Sequence, residues 1–377
     1  MYKILLSSGL SFLITFFSIP AIIRIAKAKK LFAPSNNPNN SKSLIPALGG
    51  VAIFAGFAGS ILLFIKSNDF PLLQFFLVSL MIVFFLGLKE DIQILSFSKK
   101  ITGQIIASFI LVYFGGFQIN HSGGLFGLND ISTVSNILIS FIVVMIISNS
   151  FIFMSSVDGL SGSFGMLSAL IFGCYFYFIG NMSFSIIAFS LAAALMSFLF
   201  FNFSPAKIYI GSTGTLLIGL VHSVLFIKFI NTSENTSAPF AVSSYSAIAF
   251  AILMFPLFET FKSFVIRVIC NKKSFNPDKN LTHHLLNEMG ISNKNIIIIL
   301  VLANLSIVIL AFILNNIGSA FLFVIIIAIG SAASFIVYGK NEKLLNEKEL
   351  LPFSNSHPEI IKSTKFLNIY SETVDAD

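Results

Sequence analysis

The sequence predicts an all-α, polytopic membrane protein of about eleven transmembrane helices, with its N-terminus outside and its C-terminus in the cytoplasm. Three observations carry that prediction. Of the 377 residues, 56% are hydrophobic and only 10% charged, against about 25% charged in a soluble domain. Apolar runs recur along the whole chain at the length of about 20 residues that a helix needs to cross a bilayer. Every Lys and Arg except Lys3, Lys66 and Lys228 then falls on one side, and basic loops mark the cytoplasmic side of a membrane.

The elements follow in order. The first run, about 4–25, comes directly after Met1-Tyr2-Lys3. It is longer than the ~7–15-residue apolar region of a signal peptide. Its basic residues, Arg24, Lys27, Lys29 and Lys30, cluster at and beyond its end, so it reads as an uncleaved helix that starts outside. Runs at about 48–65, 70–88, 101–117, 135–154, 163–180 and 183–201 follow. The last four are at about 213–230, 239–262, 296–313 and 319–338. They form one transmembrane domain, 1–338, and residues 339–377, mixing Lys and Glu, read as a cytoplasmic tail. With 45 Phe and no Trp, the interfacial belt falls to Tyr and Phe. Cys174 and Cys270 support neither a disulfide framework nor a cysteine metal site. The net charge of +7 is topogenic charge facing anionic membrane lipids, so no nucleic-acid partner is expected.

The polar residues that need explaining lie on the inner face. Glu90 and Asp91 follow the third run and Asp158 the fifth. Asn202, Lys207 and Ser212 lie between the seventh and eighth, Glu259 and Lys262 near the end of the ninth, and His283 and His284 beyond it. One such group is an ordinary headgroup-level charge; five clusters on one face point to function. The chemistry they suit is phosphoryl transfer at the membrane surface. Bringing two phosphates together calls for a divalent cation and basic side chains. Magnesium takes oxygen ligands and keeps several waters. Carboxylates, close-approach glycines, Lys207 and the His pair are of the right types.

Six segments, in order, carry a resemblance: Ile45–Gly50, Gly87–Ile92, Asp158-Gly159-Leu160, Asn202–Lys207, Gly211–Gly214 and Pro277–His284. Together they resemble the polyprenyl-phosphate N-acetylhexosamine-1-phosphate transferases, a glycosyltransferase family 4 type, and most closely their GlcNAc-1-phosphate branch. The resemblance implies a multi-pass transferase of the bacterial inner membrane, acting in cell-envelope polysaccharide synthesis. It implies transfer of a sugar-1-phosphate from a UDP-sugar to undecaprenyl phosphate, with release of UMP and with Mg²⁺ as cofactor. Carried over by position, it implies Glu90, Asp91 and Asp158 as catalytic residues, with Asp91 and Asp158 on the metal. Substrate contacts would come from Lys99, Lys100, Asn202, Lys207, Gly211, Gly214, His283 and His284. A homodimer is compatible with this reading.

The chain departs from the family pattern at its polar positions. Glu90-Asp91 stands for an Asp-Asp pair, which moves oxygens by about one bond in a geometry that tolerates little displacement. The family's Asn-x-x-Asn-x-x-Asp-Gly-x-Asp-Gly reads Ile152, Ser155, Asp158 and Ser161. Ser212 replaces the metal-binding Asp of Gly-Asp-Thr-Gly, and Leu281 the first His of His-x-His-His. The loop before Ile45 reads PNNSK at 38–42, without the expected Arg or His. Two readings stay open: a transferase with impaired or rewired activity, and an inactive homologue that binds lipid carrier or an active paralogue. A transporter ranks last, because paired intramembrane charges and matching helix breaks are not evident.

Overall fold

A computed structural model describes residues 1–32, 45–66, 70–93, 95–120, 132–233, 242–269 and 281–350. The expectations placed on 38–42, Pro277–Asn280, Cys270 and the tail beyond 350 lie outside the described residues. The described residues form helices and no strand. In order these are α1 Tyr2–Ala28, α2 Gly49–Phe64, α3 Leu73–Ile92 and α4 Phe97–Phe109, which continues as a π-helical turn, Ile110–Phe114. Then come α5 Thr133–Phe153, α6 Leu160–Phe178, α7 Met182–Asn202 and α8 Gly211–Ser233. The last five are α9 Tyr245–Ile252, α10 Met254–Ile269, α11 Thr282–Glu288, α12 Asn293–Ile313 and α13 Ser319–Leu350.

Seven described helices are long and apolar enough to cross a membrane, and the bent pair α9–α10 would make an eighth. The chain is therefore a multi-pass helical membrane protein. Of the remaining expected runs, 48–65, 70–88 and 101–117 are helical as α2, α3 and α4 with its π-turn. Helix α13 runs past residue 338 without a break.

Helix α8 is the buried axis, packed on α2, α3, α5, α6 and α9. Around it, α1 packs on α2 and α7, and α12 and α13 close against α9, α10 and α11. Outer helices turn large apolar side chains outward, among them Phe17, Phe85, Phe321 and Phe335, as a lipid-facing surface requires. Between helices, where lipid-like surroundings offer no hydrophobic drive, small residues and polar pairs set the contacts. Ser11 Oγ donates to the Ser190 carbonyl at 2.7 Å, and Gln104 and Asn149 exchange amide bonds at 3.0 and 3.2 Å.

The run expected as one helix over 239–262 is broken: α9 and α10 meet at Leu253 with an 81° bend. Pro256 is the physical reason. It has no N–H, and its ring clashes with the carbonyl four residues earlier, that of Ile252, where α9 ends. The freed groups are met from α12. Asn304, buried, accepts from the Phe255 N–H and donates to the Ile252 carbonyl, each at 3.3 Å.

Candidate active-site cleft

The ends of several helices converge at one end of the bundle. A cleft of about 410 Å³ opens there, lined by Glu90, Asp91, Ser155, Ser156, Asp158, Tyr209, Ile210, Gly211 and Ser212. Its floor is a backbone splice. The Tyr209 N–H donates to the Pro46 carbonyl at 2.8 Å; the Gly49 and Gly50 N–H groups donate to the carbonyls of Tyr209 and Ile210, each at 2.9 Å. Glycine is needed for this approach. A Cβ on Gly50 would strike the Gly214 backbone, and one on Gly87 the backbone of Thr213. Gly211 holds φ +70, a left-handed value that other residues adopt at a cost. Gly50 and Gly214 thus act here through close packing of α2 on α8.

Asp91 sits across the start of α8. Its carboxylate accepts the Ser212 N–H at 2.6 Å, the Thr213 N–H at 3.0 Å and the Thr213 hydroxyl at 2.6 Å. A helix N-terminus leaves N–H groups that attract an anion, and here the chain supplies that anion itself. Burial still pushes the Asp91 carboxyl up to about 6, against the three hydrogen bonds, with Glu90 adding to the rise. Glu90 is held by Lys100, Nζ to Oε1 at 2.8 Å, while Oε2 is buried with no partner. Asp158 is half-buried and its carboxyl is raised by desolvation. Desolvation, then the charge of Asp158, raises the Tyr209 phenol, so it stays a donor.

The other expected site residues divide. His283 is wholly buried behind the cleft, its Nε2 2.7 Å from the Ser156 hydroxyl and its Nδ1 without a partner. Desolvation first, then the nearby charges of His284 and Lys262, push it down to about 3, so the ring is neutral. His284 is half-buried and also lowered by desolvation. Asn202 is buried and used by backbone: its Oδ1 accepts the Gly159 N–H at 2.7 Å and its Nδ2 donates to the Ile208 carbonyl at 2.8 Å. That ties the Asp158–Gly159 turn to the strand-like stretch before α8. Lys99 and Lys207 are exposed and do not line the cleft, and Gly214 lies one turn into α8 as packing. At the substituted positions, Ser155 and Ser212 line the cleft, Ser161 is buried in the first turn of α6, Leu281 is buried at the start of α11, and Ile152 ends α5 against the core. Sequence reading passed over Ser156 and Tyr209; nothing but their neighbours Asp158 and Gly211 pointed to them.

Residues 73–230 match the profile of glycosyl transferase family 4. Curated relatives extend the match. The decaprenyl-phosphate N-acetylglucosaminephosphotransferase of Mycobacterium tuberculosis is 26% identical over 322 residues, 77% of each chain. The undecaprenyl-phosphate alpha-N-acetylglucosaminyl 1-phosphate transferase of Escherichia coli O157:H7 is 24% identical over 285 residues, 74% of this chain and 75% of its own. The matched stretch contains Glu90, Asp91, Asp158, Tyr209 and Ser212, so the cleft lies within the family 4 region.

Magnesium, which the resemblance implies, finds a poor set of ligands. Both Asp91 oxygens accept hydrogen bonds, one Glu90 oxygen pairs with Lys100 and Ser212 carries no charge, which leaves the other Glu90 oxygen and the Asp158 carboxylate on the cleft. Among the described residues no group of three His, Cys, Asp or Glu is gathered to hold a metal ion. These residues do not gather a metal centre from protein groups alone; Glu90 and Asp158 would hold a magnesium only together with substrate phosphates, which commonly supply the remaining oxygens.

Proposed function

We propose that this chain is a cytoplasmic-face homologue of the sugar-1-phosphate transferases that still receives its substrates but transfers poorly. The substrates are a UDP-sugar of the GlcNAc type and undecaprenyl phosphate, at the inner membrane of a bacterium. The observation that carries this reading is Ser212. It lines the cleft where the family pattern places a metal-binding carboxylate, and its N–H is bound by Asp91 instead. A neutral hydroxyl cannot supply the lost charge, and removing one such group costs about a thousandfold or more in rate. The glycine splice of α2 on α8, the Asn202 tie and the cleft itself are all formed in this chain, which supports binding.

Equilibrium titration of the purified protein with UDP and with undecaprenyl phosphate tests this. Saturable binding of both, persisting in EDTA, is the expected result. Absence of binding by either would overturn the reading.

A further inference from the structure

We infer that Glu259, Lys262 and Thr282 form a buried clamp that positions His283 against Ser156 and so sets one wall of the cleft; its effect on ligands rests on the cleft being the substrate site. Glu259 is wholly buried on α10, yet its carboxylate is fully engaged. It accepts the Thr282 N–H at 3.0 Å, the Thr282 hydroxyl at 2.5 Å and Lys262 Nζ at 2.9 Å. Lys262 Nζ also donates to Thr282 Oγ1 at 2.8 Å and to Ser334 Oγ on α13 at 3.2 Å. An ammonium has three protons, and here each has a partner.

The clamp therefore joins α10, α11 and α13 at the first residue of α11. The far end of that short helix is tied as well, Asn341 Nδ2 donating to Glu288 Oε2 at 3.1 Å. The residue after Thr282 is His283. Its ring has one hydrogen bond, to Ser156, and nothing on Nδ1. A ring held by one bond keeps its aim only if its backbone is fixed, and the clamp is what fixes it. Leu281 is buried and apolar, so the polar anchor of this segment is Thr282. Glu259, Lys262 and Thr282 do not border the cleft; they are positioning residues that act through His283 and Ser156.

The test uses the full-length protein in detergent and two readouts: histidine modification by diethyl pyrocarbonate, mapped by mass spectrometry, and titration with UDP. Thr282→Val keeps the shape and removes the hydroxyl; Thr282→Ser restores it. In the native protein half-buried His284 is expected to be modified, and buried His283 and His222 to be protected. Thr282→Val is expected to raise His283 modification about tenfold while His222, buried within α8, stays protected. UDP binding is expected to weaken about tenfold, because small misplacements at a site are felt strongly. Thr282→Ser should match the native protein in both readouts. Unchanged protection of His283 in Thr282→Val would overturn the clamp. So would modification of His222 alongside it, which would mean general loosening, or a Thr282→Ser that fails to restore protection. Equal UDP affinity of native and Thr282→Val proteins would remove its role in the site. If the native protein binds no UDP, the substrate reading falls, while the protection data still decide the clamp.

Discussion

Asp91 and His283 carry opposite proton linkages within one small site, and that gives a residue-scale signature. The Asp91 carboxyl is raised by burial to about 6 from 3.8. Between those values the unfolded chain has lost a proton the folded chain still holds, so this group's stabilisation is present at low pH and is lost as pH rises to about 6. His283 is depressed to about 3 from 6.5, so its contribution runs the other way and is lost as pH falls below 6.5 toward 3. Thermal midpoints measured from pH 4 to pH 6.5 should separate them. Relative to the native protein, Asp91→Asn should make stability rise more steeply with pH, and His283→Gln should make it rise less or fall. Identical slopes in all three proteins would contradict the geometry. At this scale, the acidic residues were legible because charge beside a membrane helix needs a reason. The use of Asn202 was not. Nothing in Asn-Phe-Ser-Pro tells that both ends of the amide bind backbone at residues 159 and 208.

At the scale of elements, helix existence was legible from apolar length, and the break at Leu253 was not. The run over 239–262 is apolar on both sides of Pro256, from Ala247 to Phe258, and a proline in a membrane helix is often tolerated. What turns Pro256 into an 81° bend is a partner far along the chain, Asn304, that takes over the groups released. In the sequence, Asn304 is one of two polar residues, with Ser306, in an apolar run. Its substitution by Leu should leave the Phe255 N–H and Ile252 carbonyl buried without partners, at a cost of about 1–3 kcal/mol each. A chemical- or thermal-denaturation comparison checks this; an Asn304→Leu protein as stable as the native one would show that the bend is held by other contacts. The clamp is also an element-scale feature. Glu259 and Lys262 stood out as charges near the end of a run, but their partners Thr282 and Ser334 lie on other helices and carry no charge to flag them.

For the whole molecule, composition was enough to read a multi-pass helical protein, and the order of six short segments was enough to read its relatives. Among the described residues seven helices, or eight with the bent pair, meet the length and apolarity of a span. The proposed orientation places the cleft in the cytoplasm, and single cysteines test it in a background with Cys174 and Cys270 replaced by Ser. A cysteine at Lys207 or Lys99 should react with a membrane-impermeant maleimide only in inside-out vesicles, and one at Lys3 only in right-side-out cells or vesicles. The reverse pattern would move the cleft to the outer face. Under the proposed function the cleft still takes its substrates and transfers them poorly, with Ser212 on the cleft and Ser161 and Leu281 buried at the other substituted positions. The measurement that bears on it most directly is UMP release from UDP-GlcNAc by the purified protein with undecaprenyl phosphate and Mg²⁺. It is run beside a protein carrying Ser161→Asp, Ser212→Asp and Leu281→His. A native rate at background and a triple-variant rate at least about a thousandfold higher are expected. Robust Mg²⁺-dependent turnover by the native protein would contradict it.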